Sequence, residues 1–97
     1  MSAEESCRAD VWLWRARFFK TRSLSARFIE EGRVRVVRDG APSRLDKPGR
    51  TLKPGDGLVL ALGGRLIAIR VENVGERRGP ATDARRLYSD LPPAGAD

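Results

Sequence analysis

Apolar residues recur at Ala9, Trp12, Leu13, Ala16 and Phe19, the i, i+3, i+4, i+7 spacing that lines one face of an α-helix. This predicts a helix over Ala9–Phe19, with Asp10, Trp14, Arg17 and Phe18 on the other side. Thr21 follows as an N-cap, its hydroxyl placed to accept from amides of the next turn. A second helix over Arg22–Glu31 then turns Leu24, Ser25, Phe28 and Ile29 toward a core. Gly32 suits the position just past that helix, because it adopts left-handed backbone without a Cβ penalty. From Arg33 the period falls to two. Val34 and Val36 alternate with Arg33 and Arg35, and Asp39-Gly40 after Arg38 is a hairpin-turn signal. Ala41–Thr51, interrupted by Pro42 and Pro48-Gly49, reads as irregular. A turn at Lys53–Gly57 feeds a strand over Leu58–Leu62, Gly63-Gly64 reverses the chain, and Arg65–Val74 returns as a longer strand. On it Ile67, Ile69 and Val71 face one way, and Leu66, Ala68 and Arg70 the other. Beyond Gly79-Pro80, Thr82–Tyr88 reads as a short helix capped by Thr82 or begun at Ala81.

The expected fold is therefore α+β: two short N-terminal helices packed on a small, mostly antiparallel sheet, with a short C-terminal helix. A chain of 97 residues suits one domain rather than two. That domain is expected over residues 8–90, between flexible tails at 1–7 and 91–97.

Composition narrows the chemistry. There is no His, which removes the usual general base and the commonest metal ligand. The single Cys7 can form neither an internal disulfide nor a zinc site, and fits a reducing cytoplasm. No apolar run approaches the roughly 18 residues of a membrane span, so no membrane partner is expected. The polar, acidic start is not expected to be a signal peptide. Polar pairs such as Tyr88 with Asp83, or Ser23 with Ser25, lack a tuned base. No glycine-rich phosphate loop is present, since Gly63-Gly64 lacks the Lys-Ser/Thr that such a loop needs. A binding module with no catalytic residues, cofactor or metal is the expectation.

Charge gives the module its partner. Lys and Arg total 19 against 13 Asp and Glu, a net of +6. Between Arg8 and Arg50 stand twelve basic and five acidic residues, a net of +7; from Thr51 onward the net is only +1. Arg outnumbers Lys 16 to 3, and the guanidinium fork pairs with phosphate in a bidentate way that Lys cannot. A high-GC genome explains the ratio but not the clustering. Arg17, Lys20, Arg22 and Arg27 lie on or near the helix junction, and Arg33, Arg35 and Arg38 follow on the first strand and its turn. The positive end of the second helix adds free N–H groups at Thr21-Arg22-Ser23. This face is expected to bind nucleic acid. Trp12 belongs to the buried stripe, whereas Trp14 is left partly exposed, to stack on a base or to cover a neighbouring strand. Asp10 is placed either to hold a nearby basic side chain or to stabilise the helix start.

The runs Arg8-Ala9-Asp10-Val11-Trp12-Leu13, Thr21-Arg22-Ser23-Leu24-Ser25, Ile29-Glu30-Glu31-Gly32-Arg33-Val34-Arg35-Val36, Asp39-Gly40 and Pro54-Gly55-Asp56 resemble the RNA-binding module named after small-subunit ribosomal protein S-four. Trp12-Leu13-Trp14, Ala16-Arg17-Phe18, Lys20-Thr21-Arg22, Glu76-Arg77-Arg78, Pro80-Ala81 and Leu87-Tyr88 look like its heat-shock-protein-fifteen branch. The resemblance implies the paired-helix αL-motif fold and binding of structured RNA. For this branch it implies binding the large ribosomal subunit while a nascent chain remains on transfer RNA, and so recycling stalled subunits without a cofactor. It carries a phosphate-contacting role to Arg8, Arg17, Lys20, Arg22, Arg33 and Arg35, with Thr21 as the cap. Ala9 stands where the family has Leu, Ser25 where it has Ala, and Asp39 where it has Asn. The protein is expected to act in the cytoplasm as a monomer on ribosomal RNA. A basic module for other RNA or for DNA, or the RNA-gripping appendage of an RNA-modifying enzyme, are the alternatives.

Overall fold

The structure, a computed structural model, describes residues 6–91. Helix α1 spans Ala9–Arg15 and buries Ala9, Trp12, Leu13 and Ala16 of the expected stripe. No side chain caps its start. Instead Ala9 and Asp10 donate their amides to the carbonyls of Arg50 and Pro48, at 2.8 and 3.1 Å, which satisfies groups a helix leaves unpaired. The helix stops at Arg15, short of the Phe19 that its periodicity predicted. Phe18 donates to the Leu13 carbonyl and Arg17 to that of Trp14, each at 3.0 Å. This pair of bonds is a Schellman motif, with Arg17 at φ 67° in the position usually given to glycine. The aromatic residues beyond it leave the helical stripe for other partners. The Phe18 ring lies 4.9 Å from that of Tyr88, and Phe19 4.9 Å from Phe28.

Helix α2 spans Arg22–Glu30. Its first turn is capped as expected, the Leu24 amide donating to Thr21 Oγ1 at 3.0 Å. It buries Ser25, Phe28 and Ile29, but Leu24 points outward and is 46% exposed, contrary to its expected core position. Gly32, at φ 80°, closes the helix with its amide on the Ile29 carbonyl.

Among the described residues the strands, in sequence order, are β1 Cys7–Arg8, β2 Val34–Arg38, β3 Ala41–Leu45, β4 Thr51–Leu52, β5 Gly57–Leu62, β6 Arg65–Val71 and β7 Tyr88–Asp90. Five of them form a sheet in the order β3-β2-β5-β6-β7, with every neighbouring pair antiparallel. Asp39 and Gly40 both adopt positive φ in the β2–β3 turn, the geometry of a type I′ hairpin. β1 and β4 make a separate two-stranded pair. Val34, Val36, Leu58, Leu60, Ile69 and Val71 form the inner face of the sheet and meet Trp12, Leu13, Phe28 and Ile29 from the helices.

Several expectations need correction. The segment read as irregular over Ala41–Thr51 holds β3 and the start of β4, because Pro42 occupies an edge strand, where its missing N–H does no harm. β6 ends at Val71 rather than Val74. The C-terminal helix, α3, covers only Ala81–Ala84 and runs into a 3-10 turn at Arg85–Leu87, after which Tyr88 joins the sheet. Its N-cap is Pro80, not Thr82. Cys7, expected in a tail, is buried in β1 opposite Leu52, and Leu91 continues the β6 edge by donating to the Ala68 carbonyl. Ser6 is exposed and belongs to no helix or strand, and the rest of both expected tails, residues 1–5 and 92–97, lies outside the described residues. No helix among the described residues is long and apolar enough to cross a membrane.

Candidate nucleic-acid interface

The Schellman turn that ends α1 delivers the chain directly into the cap of α2. Arg17, Lys20, Thr21 and Arg22 are consequently exposed side by side on the connection, with Arg27 exposed farther along α2. Among the described residues, no ion pair joins Arg17, Lys20, Arg22 or Arg27 to a carboxylate. Arg17 is not a loose side chain. Its Nε donates to the Gly79 carbonyl at 2.9 Å, which fixes the guanidinium while the residue remains exposed. All five are exposed, on the α1–α2 connection or on α2 itself.

Arg8 is held differently. Its Nε and Nη2 donate to both oxygens of Asp10, at 3.1 and 3.0 Å. The Arg8 side chain is 54% exposed and that of Asp10 only 7%, so a buried carboxylate braces an arginine at the surface. Asp10 therefore holds Arg8, its neighbour on β1, and also accepts from the Val11 amide at 2.7 Å. Burial by itself would raise the Asp10 pKa. The Arg8 bonds and charge, the Val11 amide and the charge of Arg22 outweigh it and hold the carboxyl below its ordinary value.

The strand arginines separate. Arg33 is paired with Glu31 at 3.3 Å and lies over the Phe28 ring, 5.7 Å from its centroid. Arg35 alternates with the buried Val34 and Val36, so it projects from the sheet face turned away from the helices. There it is directly opposite Arg44 on β3. Arg38 corrects the expected site. Its Nε and Nη2 grip Asp56 at 2.8 and 2.7 Å, and Nη2 also donates to the Thr51 carbonyl. Asp56 is almost wholly buried. Burial would raise its pKa, but the bonds from Arg38 and the Lys53 amide, with the charges of both residues, hold it low. Arg38 is thus a brace between β2 and the turn before β5, not a free cation.

Two contributors were missed by sequence reasoning. Arg44 joins the basic surface because Ala41–Leu45 is a strand, and the alternation around Ser43 and Leu45 was the available signal. Arg78 stacks over Trp14, 5.7 Å from the ring centroid, and its Nε donates to the Trp14 carbonyl at 3.1 Å. Trp14 is therefore half-covered by the protein's own arginine. No local sequence signal joins residues so far apart.

A family model for the S4 domain matches residues 7–58, from β1 into the start of β5 and so across the whole junction. The chain belongs to the S4 domain family. Within that family it stands beside heat shock protein 15. The Escherichia coli (strain K12) heat shock protein 15 is 37% identical over 83 residues, which are 86% of this chain and 59% of that protein. The chain thus spans somewhat under two thirds of the length of that relative. An RQC P-site tRNA stabilizing factor from Listeria innocua is 30% identical over 84 residues, covering 87% of this chain and 85% of that protein. Among solved structures, heat shock protein 15 of Vibrio cholerae, described as trimeric, superimposes with a TM-score of 0.78 at 34% identity, covering 90% of this chain and 83% of that one. The S4 fold expected from the resemblance is therefore the fold observed.

Proposed function

We propose that this protein binds structured RNA of the large ribosomal subunit, through the α1–α2 junction, while peptidyl-tRNA is still present, and so assists recycling of stalled subunits. The observation that carries the proposal is the set of exposed cations at the junction, Arg17, Lys20, Arg22 and Arg27, none in an ion pair with a carboxylate among the described residues. Thr21 supports the site by fixing the first turn of α2. Phosphates carried on a folded RNA can meet several of these groups at once, and each contact releases counterions. The similarity to an RQC P-site tRNA stabilizing factor supports the ribosomal setting and the transfer RNA, and a ribosomal partner implies the cytoplasm. The exposed cations named here all belong to one chain, and action as a single copy is the reading proposed. The role proposed is one of binding rather than catalysis.

Co-sedimentation tests this. The protein should travel with large subunits that carry peptidyl-tRNA and much less with empty ones. Equal binding to both would reject the recycling role and leave RNA binding standing. Competition by duplex DNA as effective as that by ribosomal RNA would favour the general nucleic-acid module instead.

A further inference from the structure

The turn that presents the junction is built from an unfavourable backbone conformation. Arg17 sits at φ 67°, where an L side chain crowds its own carbonyl and where helices normally place glycine. Such a residue persists when its surroundings over-determine it. Here the surroundings come from a segment about sixty residues away in sequence, beyond the residues 7–58 that match the S4 domain. Trp12 Nε1 donates to the Asn73 carbonyl at 2.8 Å. Arg15 Nη1 donates to the Gly75 carbonyl at 2.9 Å and the Val74 carbonyl at 3.3 Å. Arg17 Nε donates to the Gly79 carbonyl at 2.9 Å. In the other direction, Arg78 Nε donates to the Trp14 carbonyl, the same oxygen that accepts the Arg17 amide and closes the turn. Phe18, the next residue, is held against Tyr88.

We infer that the Asn73–Tyr88 segment is a positioning element for the RNA-binding junction, with Arg78 as its key positioning residue. The inference rests on the RNA-binding role proposed above. The segment fixes where α1 ends and so sets the direction in which Arg17, Lys20 and Arg22 leave the fold. Without it, the periodicity of Ala9–Phe19 favours continuation of the helix, which would carry Arg17 to a different side of the molecule. The guanidinium of Arg78 acts through the Trp14 carbonyl and ring rather than through phosphate.

The test compares Arg78→Ala and Arg78→Lys in the full chain, by amide hydrogen exchange and by RNA affinity measured across a salt series. Exchange should quicken at the Arg17 and Phe18 amides in both variants, while the Leu24 and Gly32 amides of α2 stay as protected as in the unaltered protein. The apparent Kd for ribosomal RNA should rise about tenfold, as the fraction of competent junction falls, with the salt slope unchanged. Lys should not rescue, because an ammonium keeps the charge but loses the planar fork. Rescue by Lys, together with a salt slope lowered by about one in the Ala variant, would make Arg78 a phosphate contact and overturn the inference. Unaltered exchange at Arg17 and Phe18 in both variants would also overturn it. If Arg78→Ala unfolds, Arg78→Lys supplies the same two readouts. Failure of the unaltered protein to bind RNA would reject the proposed function separately, and the exchange pattern would still judge the positioning role.

Discussion

Arginines of similar appearance in the sequence do different work, and their partners decide which. Arg38 has both ends of its fork on a buried carboxylate, so Arg38→Ala leaves Asp56 enclosed without its bidentate partner, with the Lys53 amide and charge remaining. We expect a loss of about 3 kcal/mol in urea unfolding, with little change in RNA affinity for the protein that remains folded. Arg17 predicts the reverse. Arg17→Gly removes the cost of its positive φ and keeps the Schellman turn, so stability should hold, while RNA affinity falls with the loss of the side chain. The two variants, measured by the same unfolding and binding assays, separate bracing from contact. Asp10 and Asp56 add a pH dependence. Both carboxyls are held below their ordinary values in the folded protein, so the unfolded chain takes up protons first as pH falls. Their stabilisation is complete well above the unfolded value of about 4 and is lost as pH drops through the lower folded values. Urea midpoints should therefore change little from neutrality to about pH 5 through these two groups, then decline on further acidification.

Helix ends, more than helix interiors, shape the interface. α2 begins where a threonine can accept from its first turn and ends where glycine can go left-handed, and both marks are plain in the sequence. Thr21→Ala should cost about 1 kcal/mol, seen as a melting temperature lowered by roughly 4–8 °C in a domain of this size. An unchanged melting temperature would mean that the Oγ1 bond contributes nothing net. α1 is the opposite case. Its apolar spacing extends through Phe19, and neither glycine nor proline marks the stop at Arg15. The stop comes from carbonyls and rings of the Asn73–Tyr88 segment, which no window on the α1 sequence contains. The β3 edge was hidden for a related reason. Pro42 argues against a strand on local grounds, yet an edge position needs no N–H there.

Across the molecule, the cations of the expected site divide between the helices and the sheet. Arg17, Lys20, Arg22 and Arg27 belong to the helical junction, while Arg35 and Arg44 oppose each other on the outer face of the sheet. If the junction is the main contact, Lys20→Glu with Arg22→Glu should weaken RNA binding strongly and leave the circular dichroism spectrum intact. The companion pair Arg35→Glu with Arg44→Glu should have a smaller effect on affinity. Equal losses from the two pairs would show that the sheet face carries as much of the binding. In either case affinity should fall by orders of magnitude between about 50 and 200 mM salt if several phosphates are engaged. A flat response would rule out phosphate contacts as the dominant interaction.

The two N-terminal helices with most of their inward-facing residues, the alternation along β2 and β6, the α2 cap and the hairpin at Asp39-Gly40 were legible without coordinates. Each depends on neighbours within a few positions, where side-chain period and backbone preference act directly. So was the basic character of the first half, since charge is additive and needs no geometry. Which arginines are spent on Asp10, Glu31 and Asp56, where α1 ends, and that Arg35 shares a surface with Arg44 depended on contacts between distant segments. A guanidinium is drawn to any carboxylate or carbonyl within its reach, and only the folded chain determines which of them comes near.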